Sequence, residues 1–303
     1  MNNFYILGFL AVTFLPFLTL LGGLTLWRYL ERKKRRRSPF TKGFLRQPGE
    51  SLRKRLDDEL LKFQGYMLVA ILFPVLLTGT YFAQNFGTDH KRIQVVLYAA
   101  VIAIALAPML TLSIRLAARV KSLQLGLDGE TATGQLLNTL MLNGCHVYHD
   151  IACQYGNVDH IVVGPGGVFV IETKARSKPV TGDGKADARV VYDGDSIRFP
   201  THVETRVLDQ VRTNASCVSK WLTAATGHKV ATRPVVALPG WYVERKGRSD
   251  VLVINPEPGE SKFMSKPNAN RSLTQEEIQR ITYQIERENR TIEPESRKYD
   301  RTV

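Results

Sequence analysis

The stretch Asn157–Lys174 of this chain reads NVDHIVVGPGGVFVIETK and carries two acids and a lysine at the ends of two apolar runs. Asp159 precedes the first run, and Glu172 and Lys174 follow the second. The Gly-Pro-Gly-Gly between the runs predicts a turn, so the whole stretch predicts a β-hairpin. Because side chains alternate along a strand, Glu172 and Lys174 point to one face. Two carboxylates and an amine are therefore expected to converge at one end of the hairpin.

Such a convergence indicates a metal site. Two nearby carboxylates repel each other and raise each other's pKa unless a cation lies beside them. Mg²⁺ prefers oxygen ligands and is commonly held by one or two carboxylates together with a substrate phosphate. Lys174 could orient or deprotonate an attacking water, or neutralise charge that develops on the phosphate. The residues therefore indicate metal-assisted hydrolysis of a phosphodiester, with Mg²⁺ or Mn²⁺ as the cofactor.

A purely structural interpretation of the same residues stays open at this point. Asp159 could cap one strand while Glu172 and Lys174 form an exposed ion pair, which would contribute at most ~1 kcal/mol. An acid followed by E-x-K is a weak pattern on its own, because charged residues are common. The order of the surrounding sequence favours the metal site.

Three stretches occur in one order along the chain: GLDGETATGQLLNTL, VDHIVVGPGGVFVIETKA and LDQVRTNASCVSKWL. This order resembles the NERD (nuclease-related domain) family of the PD-(D/E)xK, restriction-endonuclease-like nucleases, from about Gly126 to Val253. The resemblance implies an α/β restriction-endonuclease-like domain, with a central mixed sheet flanked by helices. By position it implies these site residues: Asp159, Glu172 and Glu130 as metal ligands, Lys174 as the catalytic lysine, and Gln210 as a helical glutamine that closes the site.

Two stretches depart from the pattern of the family. The segment PTHVETRVLDQ, which ends at Gln210, is longer and more charged than the spacing of the family. The stretch KARSKPVTGDGKADARVVYDGDSIRF is polar and predicts a loop in place of the strand pair that follows the lysine in the family. His160 faces opposite to Asp159, and we expect it to be packed or hydrogen-bonded rather than a ligand.

The first third of the chain differs in composition from the rest. Three apolar segments lie at about residues 4–29, 65–87 and 93–115. Each is long enough for the ~20 residues that span a bilayer, so they predict three transmembrane helices. A basic run follows the first of them: Arg28, Arg32 and Lys33–Arg37. The positive-inside rule keeps this run cytoplasmic and the N-terminus outside. The chain is therefore predicted to be a multi-pass protein of a bacterial-type inner membrane, with its nuclease-like domain in the cytoplasm.

The predicted cytoplasmic loop at residues 30–64 explains most of the net charge of +13. Residues 28–62 hold 13 Lys and Arg against 5 Asp and Glu, a net charge of +8. Anionic lipid headgroups near Arg28–Arg37 are the first expected partner of this charge, and nucleic acid is the second. Residues 52–63 fit either an interfacial amphipathic helix or an ordinary connector.

The sequence thus divides into a transmembrane region (1–121), a NERD-like domain (122–256) and a C-terminal helix with a polar tail (257–303). Within these, we expect a helix at 203–223 and buried strands at 234–238 and 251–254. Thr274 and Glu277 could form a capping box for a last helix that has few apolar residues. The three cysteines, Cys145, Cys153 and Cys217, lack metal-ligand spacing and are expected to be reduced.

The function predicted from the sequence is that of a membrane-anchored, metal-dependent nuclease that cleaves DNA or RNA. A rival from another class is a membrane-tethered module that uses the same fold to bind nucleic acid or a protein without cleavage. Asp159, Glu172 and Lys174 together argue against the rival, because a fold used only for binding has no need for a lysine beside two converging acids.

Overall fold

The computed structural model describes these residues of the chain: 2–33, 43–84, 92–154, 156–179, 188–267 and 272–290. The chain divides into two compact units. One unit holds residues 1–39, 57–121 and 295–303, and the other holds residues 40–56 and 122–294. All the described strands belong to the second unit, so this unit is where the predicted site residues lie.

Three long helices form the first part of the chain: α1 (Asn2–Lys33), α2 (Glu50–Gln84) and α3 (Arg92–Asn138). In the described part of the chain, two helical stretches are long and apolar enough to cross a membrane, by length and composition. They lie at Glu50–Ala83 and Ile93–Asn143, and their most apolar windows are not buried. Their apolar side chains are correspondingly exposed, with Ile71 at 59 % and Ile104 at 74 %.

Both α2 and α3 are longer than the apolar segments predicted from the sequence at residues 65–87 and 93–115. Helix α2 begins at Glu50, inside the predicted cytoplasmic loop, and so includes residues 52–63, for which the sequence left either a helix or a connector open. Residues 50–64 contain no glycine or proline that would end a helix. Helix α3 continues past the predicted end of its apolar stretch to Asn138. Residues 34–42, which include part of the predicted basic run, lie outside the described residues.

The second unit contains nine described strands: β1 (His146–Cys153), β2 (Gly156–Gly164), β3 (Gly167–Thr173), β4 (Arg189–Tyr192), β5 (Ile197–Arg198), β6 (Val203–Glu204), β7 (Thr232–Ala237), β8 (Tyr242–Arg245) and β9 (Leu252–Ile254). The main sheet has the order β1-β2-β3-β7-β9. Strand β2 pairs antiparallel with both β1 and β3, and β7 and β9 run parallel to β3. The β2–β3 hairpin and the mixed sheet flanked by helices confirm the corresponding predictions.

A second sheet, in the order β6-β5-β4-β8, was not predicted. Strands β4 and β5 lie in the polar stretch predicted as a loop, and that prediction is wrong for residues 189–192 and 197–198. Strand β4 is only four residues long and pairs in parallel with β8, about fifty residues further along the chain. Local sequence carries little signal for such a pairing, since its hydrogen bonds come from a distant segment. Residues 180–187 of the same stretch lie outside the described residues.

Helices cover both faces of the main sheet. On one face, α4 (Arg206–Thr226) and α6 (Gln275–Asn289) pack on apolar side chains of β1, β2 and β3. The end of α3 and a 3₁₀ helix at Thr139–Asn143 supply Leu137 and Leu140 to the core on the other face. A short helix α5 (Pro258–Ser261) follows β9.

Helix α6 is more firmly packed than its composition suggests. Its three isoleucines, Ile278, Ile281 and Ile285, recur at helical spacing and are all buried in the core. The predicted capping box is confirmed, because the Thr274 hydroxyl accepts from the Glu277 N–H while the Glu277 carboxylate accepts from the Thr274 N–H. The compact unit therefore runs beyond residue 256 and includes the C-terminal helix.

The prediction of three reduced cysteines is wrong for one pair. Cys153, at the end of β1, and Cys217, on α4, form a disulfide with their Cα atoms 6.8 Å apart. Cys145 is free and buried. The two partners are 64 residues apart in sequence and meet only because α4 packs across the sheet, so their spacing gave no sign of the pairing.

Candidate active site

The β2–β3 hairpin brings Asp159 and Glu172 to one end of the sheet. His160 pairs with Ile171 across the two strands, so Asp159 precedes this pair and Glu172 follows it. The Thr173 N–H donates a hydrogen bond of 2.7 Å to Asp159 Oδ2. The backbone of one strand thus holds the carboxylate of the other, which links the two predicted ligands directly.

Lys174 comes immediately after this pair, where β3 ends. Its backbone N–H donates to the carbonyl of Ala237 at 2.9 Å and so continues the pairing between β3 and β7. The side chain is only partly buried, and its ammonium makes no ion pair or hydrogen bond with any residue that the structure describes. The backbone is therefore fixed while the amine stays available to a ligand.

Helix α4 holds the carboxylate of Glu172 from the other side. Gln210 Nε2 donates to Glu172 Oε1 at 2.5 Å, and Asn214 Nδ2 donates to Glu172 Oε2 at 3.3 Å. Gln210 therefore lies at the site, where the sequence analysis expected it. The sequence analysis missed Asn214. Its position four residues after Gln210 was the available signal, because residues at this spacing lie on the same face of a helix.

Helix α3 brings Glu130 to the site through a close contact at Gly129. A Cβ built on Gly129 would lie 2.4 Å from the Cβ of Ala175, the residue after Lys174. Only a glycine permits this approach of the helix to the strand end. Glu130 is 8 % exposed, and its charge interacts with that of Asp159. Gly129 thus permits the close approach of α3 to the end of β3, and this approach brings Glu130 to the hairpin.

The electrostatic environment of the site opposes the charged form of its acids. Burial raises the pKa of Glu130 to about 8, and the negative charges of Asp159 and Asp150 add to the rise. The positive charges of Arg55 and Lys174 lower the same pKa. Burial also raises the pKa of Asp159 to about 7, although Lys174 and a backbone hydrogen bond act against it.

Glu172 shows the same pattern. Burial raises the pKa of Glu172 well above its usual range, and the charges of Asp159 and Glu130 raise it further. Lys174 and the hydrogen bond from Asn214 act in the opposite direction. The surroundings therefore do not compensate the negative charge that the three acids would carry if all of them were ionised.

Asp150 is a fourth acid that the sequence analysis missed. It is 1 % exposed and has a positive φ of 51°, which Asp tolerates better than most residues. Arg46 Nη1 donates to its Oδ2 at 3.1 Å, and the Ser51 hydroxyl and Asn157 Nδ2 donate to its Oδ1 at 2.5 and 3.0 Å. This full set of partners indicates that Asp150 joins the segment before α2 to the sheet. A charged residue inside the apolar run of β1 was the available signal.

A chain of buried hydrogen bonds lies behind Asp159. His149 Nδ1 is 2.9 Å from His160 Nδ1, and the outer ring nitrogens contact Asn138 Oδ1 and Thr173 Oγ1, each at 3.1 Å. Burial lowers the pKa of His149 to about 4 and that of His160 well below its usual range. Both rings are therefore neutral near pH 7. The prediction that His160 is packed or hydrogen-bonded is confirmed.

Among the described residues, no group of three or more His, Cys, Asp or Glu side chains is arranged to hold a metal ion. A metal at this site would therefore be held by fewer protein ligands and by waters, or would require the carboxylates to shift. Mg²⁺ commonly binds in the first way, with one or two carboxylates and several waters.

Comparison with known proteins identifies the domain that contains this site. Residues 125–239 match the family model of the nuclease-related domain, NERD. This part of the chain is therefore similar to the NERD family, and it is called the NERD domain below. No curated protein and no solved structure matches the chain. The match includes Glu130, the hairpin acids, Lys174 and Gln210, whereas the segment that carries Arg46, Ser51 and Arg55 lies outside it.

The raised pKa of Glu130 predicts a pH-dependent effect of Glu130→Gln. In the folded NERD domain Glu130 keeps its proton up to about pH 8, whereas in the unfolded chain it ionises near its usual pKa of 4.5. Its contribution to stability is therefore fully present below about pH 4.5 and is lost as the pH rises from there to about 8. Glutamine does not ionise, so the stability of Glu130→Gln relative to wild type should increase by roughly 2 kcal/mol from about pH 6 to about pH 9.

Chemical unfolding of the full-length chain in detergent and EDTA measures this difference. Glu288→Gln is the matched control, because Glu288 is an exposed acid whose charge lies away from the site. If the difference in unfolding free energy between Glu130→Gln and wild type is the same at both pH values, the raised pKa of Glu130 is contradicted.

Proposed function

We propose that this protein is a membrane-anchored, metal-dependent nuclease that hydrolyses phosphodiester bonds of DNA or RNA. One observation carries the proposal: Glu130, Asp159 and Glu172 converge beside an unpaired lysine within the NERD domain. A structural ion-pair network would give each buried acid its own base, as Arg46 does for Asp150. Here Lys174 acts on all three acids and Arg55 on Glu130 alone, and neither base forms an ion pair with a described residue, which is the pattern of a site that receives an additional cation.

Asp159 and Glu172 are the residues that would hold Mg²⁺ or Mn²⁺ together with waters, and Glu130 would join them through a shift of its carboxylate. The donor set fits these ions, because all its ligands are carboxylate oxygens. The electrostatics also fit, since acids with raised pKa values ionise more readily when a cation lies beside them. When bound, the metal would supply stabilisation of the charge on the phosphate and acidification of a bound water.

The side chains around the acids have separate roles in the proposal. Gln210 and Asn214 donate to the two oxygens of Glu172 and so fix the orientation of its carboxylate. The Thr173 N–H fixes Asp159 in the same way. Lys174 would bind a phosphate oxygen or orient the attacking water, because its amine is held next to the acids by the backbone of β3.

The proposal predicts that Lys174→Ala and Glu172→Gln each lower the rate of nucleic-acid cleavage by at least about a hundredfold. Both should remain folded, because Lys174 is partly exposed and glutamine has nearly the same shape as Glu172. The measurement uses the full-length chain in detergent with plasmid, linear and single-stranded DNA and with RNA, in the presence of Mg²⁺ or EDTA. Lys220→Ala, at an exposed position on α4, is the matched control.

Equal cleavage by wild type and both variants would remove the nuclease assignment from this site. Binding of nucleic acid without cleavage, in any metal, would support the rival in which the fold serves as a tethered binding module. Cleavage that needs both a divalent metal and Lys174 would support the enzyme and identify its substrate class.

The position in the membrane is also a proposal. We propose that α1, α2 and α3 each cross the bilayer, with the N-terminus outside and the NERD domain in the cytoplasm. Support comes from the exposed apolar side chains of α2 and α3 and from the bases at Arg28–Arg37, which the positive-inside rule assigns to the cytoplasm. The Cys153–Cys217 disulfide acts against this orientation, because disulfides are rare in the cytosol and persist in oxidising compartments.

Thiol trapping distinguishes the two sides of the membrane. Cells that make the full-length chain are quenched in acid, and free thiols are then labelled with a mass tag under denaturing conditions. In the cytoplasm the reductants should open the disulfide, so all three cysteines of the chain should carry a tag. A single tag, on Cys145, would place the domain on the oxidising side and reverse the proposed orientation.

A further inference from the structure

The segment that leads into α2 packs closely against α3 next to Glu130. A Cβ built on Gly134 would lie 2.5 Å from Cγ of Pro48, and one built on Gly126 would lie 3.3 Å from Cδ1 of Leu52. These glycines lie on either side of Glu130 along α3. The start of α2 is therefore held against the helix that supplies an acid to the site.

Ser51 holds one face of α2 against Asp150. Its N–H and its hydroxyl donate to the two carboxylate oxygens of Asp150 at 3.1 and 2.5 Å. Arg55 lies four residues later, so it extends from the same face one turn further along the helix. The start of α2 lies beside the Glu130 carboxylate, since a Cβ built on Gly49 would lie 3.6 Å from Glu130 Oε2, and the charge of Arg55 acts on the same carboxylate.

The guanidinium of Arg55 differs from that of Arg46 in its surroundings. Arg46 is bound to Asp150, whereas Arg55 is exposed and makes no ion pair or hydrogen bond with any residue that the structure describes. An arginine presents five donors in a planar arrangement that matches the oxygens of a phosphate. A fixed backbone with an unpaired guanidinium near an acidic site is suited to binding an anion that the acids alone would repel.

We propose that Arg55 binds a phosphate of the nucleic-acid substrate beside the carboxylate site. This inference rests on the nuclease function proposed above and extends it to a residue outside the NERD domain match. Helix α2 would then have two roles, because its apolar stretch anchors the protein and its first turns contribute to substrate binding.

The test uses the full-length chain in a neutral detergent, which excludes anionic headgroups as competitors for the guanidinium. The variants are Arg55→Ala and Arg55→Lys, with Arg53→Ala as the matched control. Arg53 is exposed on the same helix, but it is two residues away and therefore extends from a different face. Binding of a fluorescein-labelled DNA duplex, and of an RNA strand, is measured by anisotropy over a range of NaCl concentrations. A Glu172→Gln background prevents cleavage during this measurement.

Arg55→Ala should weaken binding about tenfold, because one charge-assisted hydrogen-bonded contact is lost. The slope of log Kd against log salt should fall by about 0.9 for duplex DNA and by about 0.7 for a single strand. Arg55→Lys should recover most of the slope. Arg53→Ala should have the same Kd and the same slope as the Glu172→Gln chain that carries no further change. In chains with Glu172 intact, Arg55→Ala should raise KM and leave kcat and the unfolding temperature unchanged.

Failure of this inference differs from failure of the nuclease proposal. If wild type cleaves but Arg55→Ala has the same KM and the same salt slope, the role of Arg55 is wrong and the nuclease stands. If the chain binds nucleic acid without cleaving it, hydrolysis is wrong while anisotropy still tests Arg55. If a lower kcat accompanies a lower unfolding temperature, Arg55 supports the fold and does not bind phosphate.

Discussion

The burial of several carboxylates next to one another is the constraint on which the rest of the site depends. Glu130, Asp159 and Glu172 come from three different elements, and burial raises the pKa of each one. Groups of this kind repel one another, so they stay together only because other contacts hold them. Backbone pairing at the end of β3 and two amides on α4 provide these contacts. The site is destabilising by itself, as expected where function requires charge to be concentrated.

The compact unit that holds the site extends beyond the segment matched by the NERD family model. Arg46, before α2, and Ser51, in the first turn of α2, both donate to Asp150, and α6 completes the core on one face of the sheet. A fragment that begins after residue 121 would leave the buried Asp150 carboxylate without Arg46 and Ser51, which is costly for a charged group. The NERD domain and the start of α2 are therefore best regarded as one folding unit.

The sequence predicted those features that depend on neighbouring residues. The hairpin from Asn157 to Lys174 and the capping box at Thr274 have their determinants within a few positions, and the structure contains both. Features that depend on distant segments were missed, namely the β4–β8 pairing and the Cys153–Cys217 disulfide. The roles of Asn214 and Asp150 were missed for the same reason. Their hydrogen-bond partners are distant in sequence and come close only when the chain folds.

Direct measurement of Mn²⁺ binding tests whether this cluster of acids is a metal site. Electron paramagnetic resonance reports free Mn²⁺, whose signal decreases when the full-length chain binds it. Asp159→Asn is the matched variant, because asparagine retains an oxygen that accepts the Thr173 N–H but has no charge. Wild type should bind Mn²⁺ and release it to excess Mg²⁺, whereas Asp159→Asn should leave the Mn²⁺ free. Equal Mn²⁺ binding by the two chains, or none by either, would contradict a metal site at Asp159 and Glu172.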